Sequence, residues 1–140
     1  MDDKIVRTYQ DLRVWQQAMD LTVDVYAATK QLPASEQFGL VAQMRRAAVS
    51  VPSNIAEGFG RETAAMFAHF LRTAQGSLKE LETQLLLCRR LELLDTASSD
   101  AILEKCDGVG KMLGGLMRSV TRKTNYDRRT TNDSSPKANQ

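Results

Sequence analysis

The feature that most limits what this chain can become is an apolar rhythm between positions 67 and 88. Phe67, Leu71, Ala74, Leu78, Leu81, Leu85 and Cys88 follow one another at intervals of three and four. That spacing draws one stripe down a helix of 3.6 residues per turn and would scatter over both faces of a strand. A helix starting after Thr63 and running for roughly 28 residues is about 42 Å long. A rod of that length can bury its stripe only against other long helices, so an all-α fold is expected.

Three further segments supply the partners. Near Asp11 a first helix is expected, with Leu12, Trp15, Met19, Val23 and Tyr26 on its inner face. Leu32-Pro33-Ala34-Ser35 reads as a turn, with Ser35 a cap for a second helix. In that helix Val41, Met44, Ala48, Val51 and Ile55 advance by 3, 4, 3 and 4, the seam spacing of antiparallel bundles. Pro52 removes the hydrogen bond to residue 48. Because Ile55 keeps the phase set by Val51, a bent but continuous helix is expected, stopped by Gly58 and Gly60. After residues 95–99 a fourth stripe follows in Ile102, Cys106, Val109, Leu113, Leu116 and Val120. Gly108, Gly110, Gly114 and Gly115 weaken it, because glycine in a helix interior costs about 1 kcal/mol relative to alanine. Gly76 carries the same cost in the third helix, and close approach of another helix would explain it.

The joints are short and the seams similar in length, which favours an antiparallel up-and-down four-helix bundle. At 140 residues the chain can bury one core, so one domain is expected over residues 1–123. From Lys123 the apolar period vanishes and Asn, Asp, Ser and Thr dominate, which reads as a disordered polar tail over residues 124–140. Charge divides the same way. Residues 118–140 hold six basic and two acidic side chains, while the whole chain carries only +2. No stretch reaches the roughly 18 to 20 apolar residues that cross a bilayer, and no basic start leads into an apolar run. A cytoplasmic protein with no membrane partner is expected.

Catalytic motifs fail on spacing. Read as a phosphate-binding loop, Gly110-Lys111 puts Lys105 where the first glycine belongs and Met112 where a magnesium-binding hydroxyl belongs. A di-metal bundle needs two Glu-x-x-His segments, and the single histidine, His69, has Met66 three residues before it. Cys88 lies nineteen positions from His69 along one helix, about 28 Å, which rules out zinc held by His69, Cys88 and Cys106 and leaves Cys88 without a base. Both cysteines sit in apolar patterns and read as core. A carboxylate site for magnesium from Glu57, Glu80 and Glu82 is the remaining metal reading, and it has little support. No enzyme, cofactor, metal or small-molecule substrate is expected.

Polar residues do show organisation. Arg46, Ser50, Asn54 and Glu57 form a stripe beside the second seam, and Ser77, Glu80 and Gln84 form another near Gly76. They are either solvated surface or a buried network fixing helix register or a subunit contact. Within that network Asn54 and Glu57 could hold an arginine of the third helix such as Arg72. Leu40, Ala47, Phe59, Phe70, Leu86 and Leu87 lie off the main seams and suggest burial against another copy.

The segment from Gln43 to Arg61, QMRRAAVSVPSNIAEGFGR, followed by GSLKELETQ from Gly76 to Gln84, resembles the 23S rRNA intervening sequence proteins. The opening Leu12-x-Val14-Trp15-x-x-Ala18-Met19 fits as well, and together they span residues 9–120. The resemblance implies a four-helix bundle closing into a ring of subunits, a homopentamer, and a kinship in fold with retroelement accessory proteins that bind a reverse transcriptase and nucleic acid. It carries no catalytic residues. It marks Arg46, Ser50, Pro52, Asn54, Glu57, Gly58, Gly76, Ser77, Glu80 and Glu82 as signature positions, structural or at an interface. An oligomeric scaffold or adaptor is therefore expected. The alternative is an accessory protein that binds RNA or a reverse-transcriptase-like partner, with Arg118, Arg122, Lys123, Arg128 and Arg129 as contacts.

Overall fold

The computed structural model describes the backbone of residues 5–133, and side chains up to Arg122 and at Arg129. Four helices follow in order: α1 Arg13–Thr29, α2 Ala42–Phe59, α3 Ala64–Arg90 and α4 Thr96–Asp133. Each lies antiparallel to the next, and α4 returns beside α1, so α1 packs on α2 and α4 while α3 packs on the same two. The side chains fix the registers. Arg45 of α2 donates to Thr29 of α1 at 2.9 Å and Met44 touches Cys88 of α3 at 3.5 Å. Lys105 of α4 pairs with Asp24 of α1, and Arg89 of α3 with Asp100 of α4. This is the expected up-and-down four-helix bundle.

The seams of α2, α3 and α4 are those read from the sequence. Met44, Ala48, Val51 and Ile55 are fully buried, as are Leu71, Ala74, Leu78, Leu81, Leu85 and Cys88, with Cys106 and Leu113 facing them. On α1 the sequence reading needs correction. Val14, Ala18, Leu21, Val25 and Ala28 point inward, while Met19, Val23 and Tyr26 are 41%, 65% and 39% exposed. Leu12 and Trp15 pack only at the core's edge. The helix carries two stripes, and the smaller one faces the core because Ala18 and Ala28 let the neighbouring backbones come close. That stripe also runs on in phase to Leu32, which is buried beyond the helix end. Leu40 and Ala47, expected against another copy, are buried in this core as well.

The ends of the helices have local causes. Thr63 caps α3, its hydroxyl accepting from the Met66 N–H at 3.1 Å. Before α2 the cap is Glu36 and not Ser35: after a short turn at Ala34–Glu36, the Glu36 carboxylate accepts from the Leu40 N–H at 3.2 Å within a wide turn over Gln37–Val41. Past α3 the Leu93 N–H reaches the Cys88 carbonyl and the Glu92 N–H that of Arg89. Glu92 takes the left-handed conformation, φ 57°, where glycine usually ends such a motif. Asp95 then opens α4 by accepting from the Ser98 N–H at 2.7 Å.

Pro52 stays inside α2, which is continuous through it. Having no N–H, it leaves the Ala48 carbonyl without its helical donor. Thr22 of α1 supplies a shared substitute: its single hydroxyl proton serves the Ala18 carbonyl, 2.8 Å away, and the Ala48 oxygen at 3.1 Å. The glycines divide by surroundings. A Cβ on Gly58 would fall 2.6 Å from the Phe70 Cβ, so here glycine sets how near α2 and α3 approach. Gly76 has nothing within 4 Å, and the neighbouring helix expected there is not in this bundle. In α4, Gly110 meets Leu78 and Gly108 meets nothing.

In register, residue 124 of α4 lies level with the start of α3, so the last turns of the α4 backbone extend past the end of that helix. The apolar period stops at the same place, at Val120. The expected tail boundary at residue 123 falls within α4, and its residues 134–140 lie outside the described residues.

Three substitutions test this account by denaturant unfolding at fixed protein concentration. Thr22→Val keeps the shape but removes the donor, and should cost about 1 to 2 kcal/mol. Gly58→Ala should cost about 1 to 3 kcal/mol through overpacking. Gly76→Ala should be neutral or stabilise by up to about 1 kcal/mol.

Candidate functional site

The polar stripes of α2 and α3 meet along one edge of the bundle. Gly58 against Phe70 and Met44 against Cys88 hold the helices at a fixed offset, and between these contacts the Ser50 and Ser77 hydroxyls come within 2.8 Å of each other. Asn54 donates through Nδ2 to the Ser50 carbonyl at 2.8 Å and to its hydroxyl at 2.9 Å. Three of the signature residues thus form one half-buried relay that pins α2 to α3. Arg46 and Glu80, both exposed, border a groove of about 290 Å³ with Gln43, whose floor is Ala47, Ser50 and Ser77.

Gln84 continues the row one heptad beyond Ser77. It is 7% exposed, and its Oε1 has no hydrogen-bond partner among the described residues. Glu57 does not join the relay. It lies at the surface and pairs with Arg61 at 3.0 Å, not with Arg72. Arg61 also covers the Phe70 ring at 4.8 Å, closing the end of the seam beside the Phe59–Phe67 edge contact. Glu82 pairs with Lys79 at 3.0 Å, so Glu57, Glu80 and Glu82 are not drawn together. Among the described residues no three His, Cys, Asp or Glu side chains gather where a metal ion could sit.

The cysteines lie apart from this edge. Both are buried, and burial pushes the Cys88 thiol up and the Cys106 thiol up to about 12. A thiol held protonated is a poor nucleophile. His69 is exposed, edge-on to Phe70. Nothing in the described residues shows catalytic chemistry.

A hydroxyl–amide relay between α2 and α3, closed at one end by Gly58 and set opposite the proline of α2, is the structural form of the signature string. The 23S rRNA-intervening sequence protein family matches residues 10–115. The chain belongs to this family. A solved structure from Bacteroides thetaiotaomicron VPI-5482, described as a protein of unknown function from the S23 ribosomal protein family, superposes with a TM-score of 0.70 at 23% identity. The match covers 75% of this chain and 95% of that one, and at this identity it shows a shared fold. No curated protein matches the chain. Of the positions that the resemblance marked, Ser50, Pro52, Asn54, Gly58 and Ser77 have packing or hydrogen-bonding reasons inside one subunit. Arg46, Gly76 and Glu80 are exposed and have no partner among the described residues.

Sequence reasoning missed Thr22, which compensates for Pro52 from another helix. The only sign of it was a hydroxyl residue one turn from Ala18, and the pairing depends on tertiary register. It also missed Arg45, which binds Thr29 and stacks on Tyr26 at 4.5 Å. Of the basic contacts proposed, Arg118, Arg122 and Arg129 are exposed, while the side chains of Lys123 and Arg128 lie outside the described residues.

Asn54→Ala should cost about 1 to 3 kcal/mol, and a double-mutant cycle with Ser77→Ala should show coupling, since the two share Ser50. Glu57→Ala should stay within about 0.5 kcal/mol, as expected for an exposed pair. Iodoacetamide at neutral pH should leave both thiols unmodified in the native protein and alkylate them after unfolding; mass spectrometry reads the outcome.

Proposed function

We propose that this protein is a non-enzymatic scaffold that works as a homo-oligomer, assembled through two different apolar patches on one subunit. The first patch follows from the outer stripe of α1. Met19, Val23 and Tyr26 lie along it, and Val49 of α2, 40% exposed, is one turn from the Arg45 that stacks on Tyr26. The second is on α3, where Leu86, Leu87 and Leu91 are all about half exposed. Leu86 and Leu87 line a shallow, mainly apolar depression of about 270 Å³ with Thr83 and Arg90.

That the two patches lie on diagonal helices is the observation that carries this reading. A self-complementary patch makes a twofold dimer, whereas two unlike patches facing away from each other suit head-to-tail contact, which closes into a ring or runs on as a filament. Family resemblance favours a ring of five. Clusters of this kind, on a chain whose described residues show no catalytic features, fit a protein that acts by association.

Sedimentation equilibrium of the full-length chain tests the assembly. The expected mass is about five times 15.6 kDa. Val23→Glu and Leu87→Glu should each lower it while leaving helical circular dichroism unchanged. A wild-type chain that stays at 15.6 kDa at micromolar concentration overturns the proposal.

A further inference from the structure

We infer that the trough between α3 and α4 binds the phosphate backbone of single-stranded nucleic acid. This inference does not depend on the ring. Two adjoining cavities, of about 330 and 550 Å³, share Gln75, Gly114 and Arg118 and form one trough along the α3–α4 seam. Lys79 and Lys111 on its walls are already balanced by Glu82 and Asp107, which line it too. Arg72, Arg118 and Arg122 line the second cavity, and none makes an ion pair among the described residues. Among the described residues the trough therefore holds three guanidinium groups without an ion pair, on a subunit whose total charge is only +2.

Its shape selects the ligand. From Lys111 to Arg122 it follows α4 for eleven residues, about 16 Å, longer than a single phosphate needs. A Cβ at Gly114 would stand 3.3 Å from Arg118 Nη1, and one at Gly115 would be 3.9 Å from Nη2. The Arg118 guanidinium therefore lies over the glycine pair, where a side chain at Gly114 would crowd it. Arginine forks match phosphate oxygens in pairs. None of the lining residues is aromatic, so bases have no stacking platform and sequence preference should be weak.

The test uses the full-length protein and fluorescence anisotropy with a labelled single-stranded RNA of about 12 nucleotides, beside DNA of the same length. Three arginines on three phosphates give a salt slope near −2, so affinity should fall roughly 20-fold between about 50 and 200 mM salt. Arg72→Glu with Arg118→Glu should weaken binding by at least about tenfold, and Arg118→Gln, a gentler change, by roughly threefold. A control of equal charge change away from the trough, Arg13→Glu with Lys30→Glu, should alter it by less than about twofold. RNA and DNA strands binding alike supports recognition of the backbone. The inference is overturned if the strand does not bind at the lower salt, or if the control pair costs as much as the trough pair. It also falls if Arg118→Gln has no effect, if a duplex binds tighter than the strand, or if about 10 mM inorganic phosphate displaces the strand completely.

Discussion

Without an N–H at Pro52, the Ala48 carbonyl in the middle of α2 must find a donor outside its own helix, and the bundle is arranged around that need. The donor is the Thr22 hydroxyl of α1, which brings α1 and α2 to one register. A half-turn on either side of the proline, Ser50 and Asn54 face the other way; Ser50 engages Ser77 of α3, and Asn54 donates to Ser50. The helix that carries the proline is thus tied to both neighbours at the point of its defect. An unmatched carbonyl in a core costs on the order of 1 to 3 kcal/mol, a large share of the stability of a small domain.

Much of this was legible beforehand because a helical seam is a one-dimensional signal. The run from Phe67 to Cys88 could be read directly, and so could the seam from Val41 to Ile55, since each has a single apolar stripe. On α1 the signal was ambiguous. Val14, Ala18, Leu21, Val25 and Ala28 compete with Leu12, Trp15, Met19, Val23 and Tyr26, and a rule that favours large side chains picks the wrong set. Tight packing decided for the stripe with alanines; Met19, Val23 and Tyr26 went to the surface, and Leu12 and Trp15 to the core's edge. Met19, Val23 and Tyr26 are the residues of the α1 patch.

The polar edge was legible in membership but not in wiring. Ser50, Asn54 and Ser77 could be picked out as a pattern, yet which of them touch depends on the offset between α2 and α3, and no single helix encodes it. Glu57 shows the limit: in sequence it extends the stripe, in space it turns to Arg61. Gly58 and Gly76 look alike as interior glycines, and only their surroundings tell a close approach from an open surface. The trough between α3 and α4 was invisible in sequence for a related reason. Arg72 and Arg118 are 46 positions apart and meet only through the antiparallel return of α4.

The joints between helices have a further consequence. Only residues 60–63 link α2 to α3, and only residues 91–95 link α3 to α4, with Glu92 already in a left-handed turn. Such links have no slack to absorb a change in helix length. Each residue added within a helix turns everything beyond it by about 100°, which would carry a buried stripe out to solvent. Length variation among relatives should therefore be confined to whole heptads in paired helices, or to the far end of α4. There the backbone has outrun its partner, and the chain can be lengthened or trimmed without disturbing a register elsewhere.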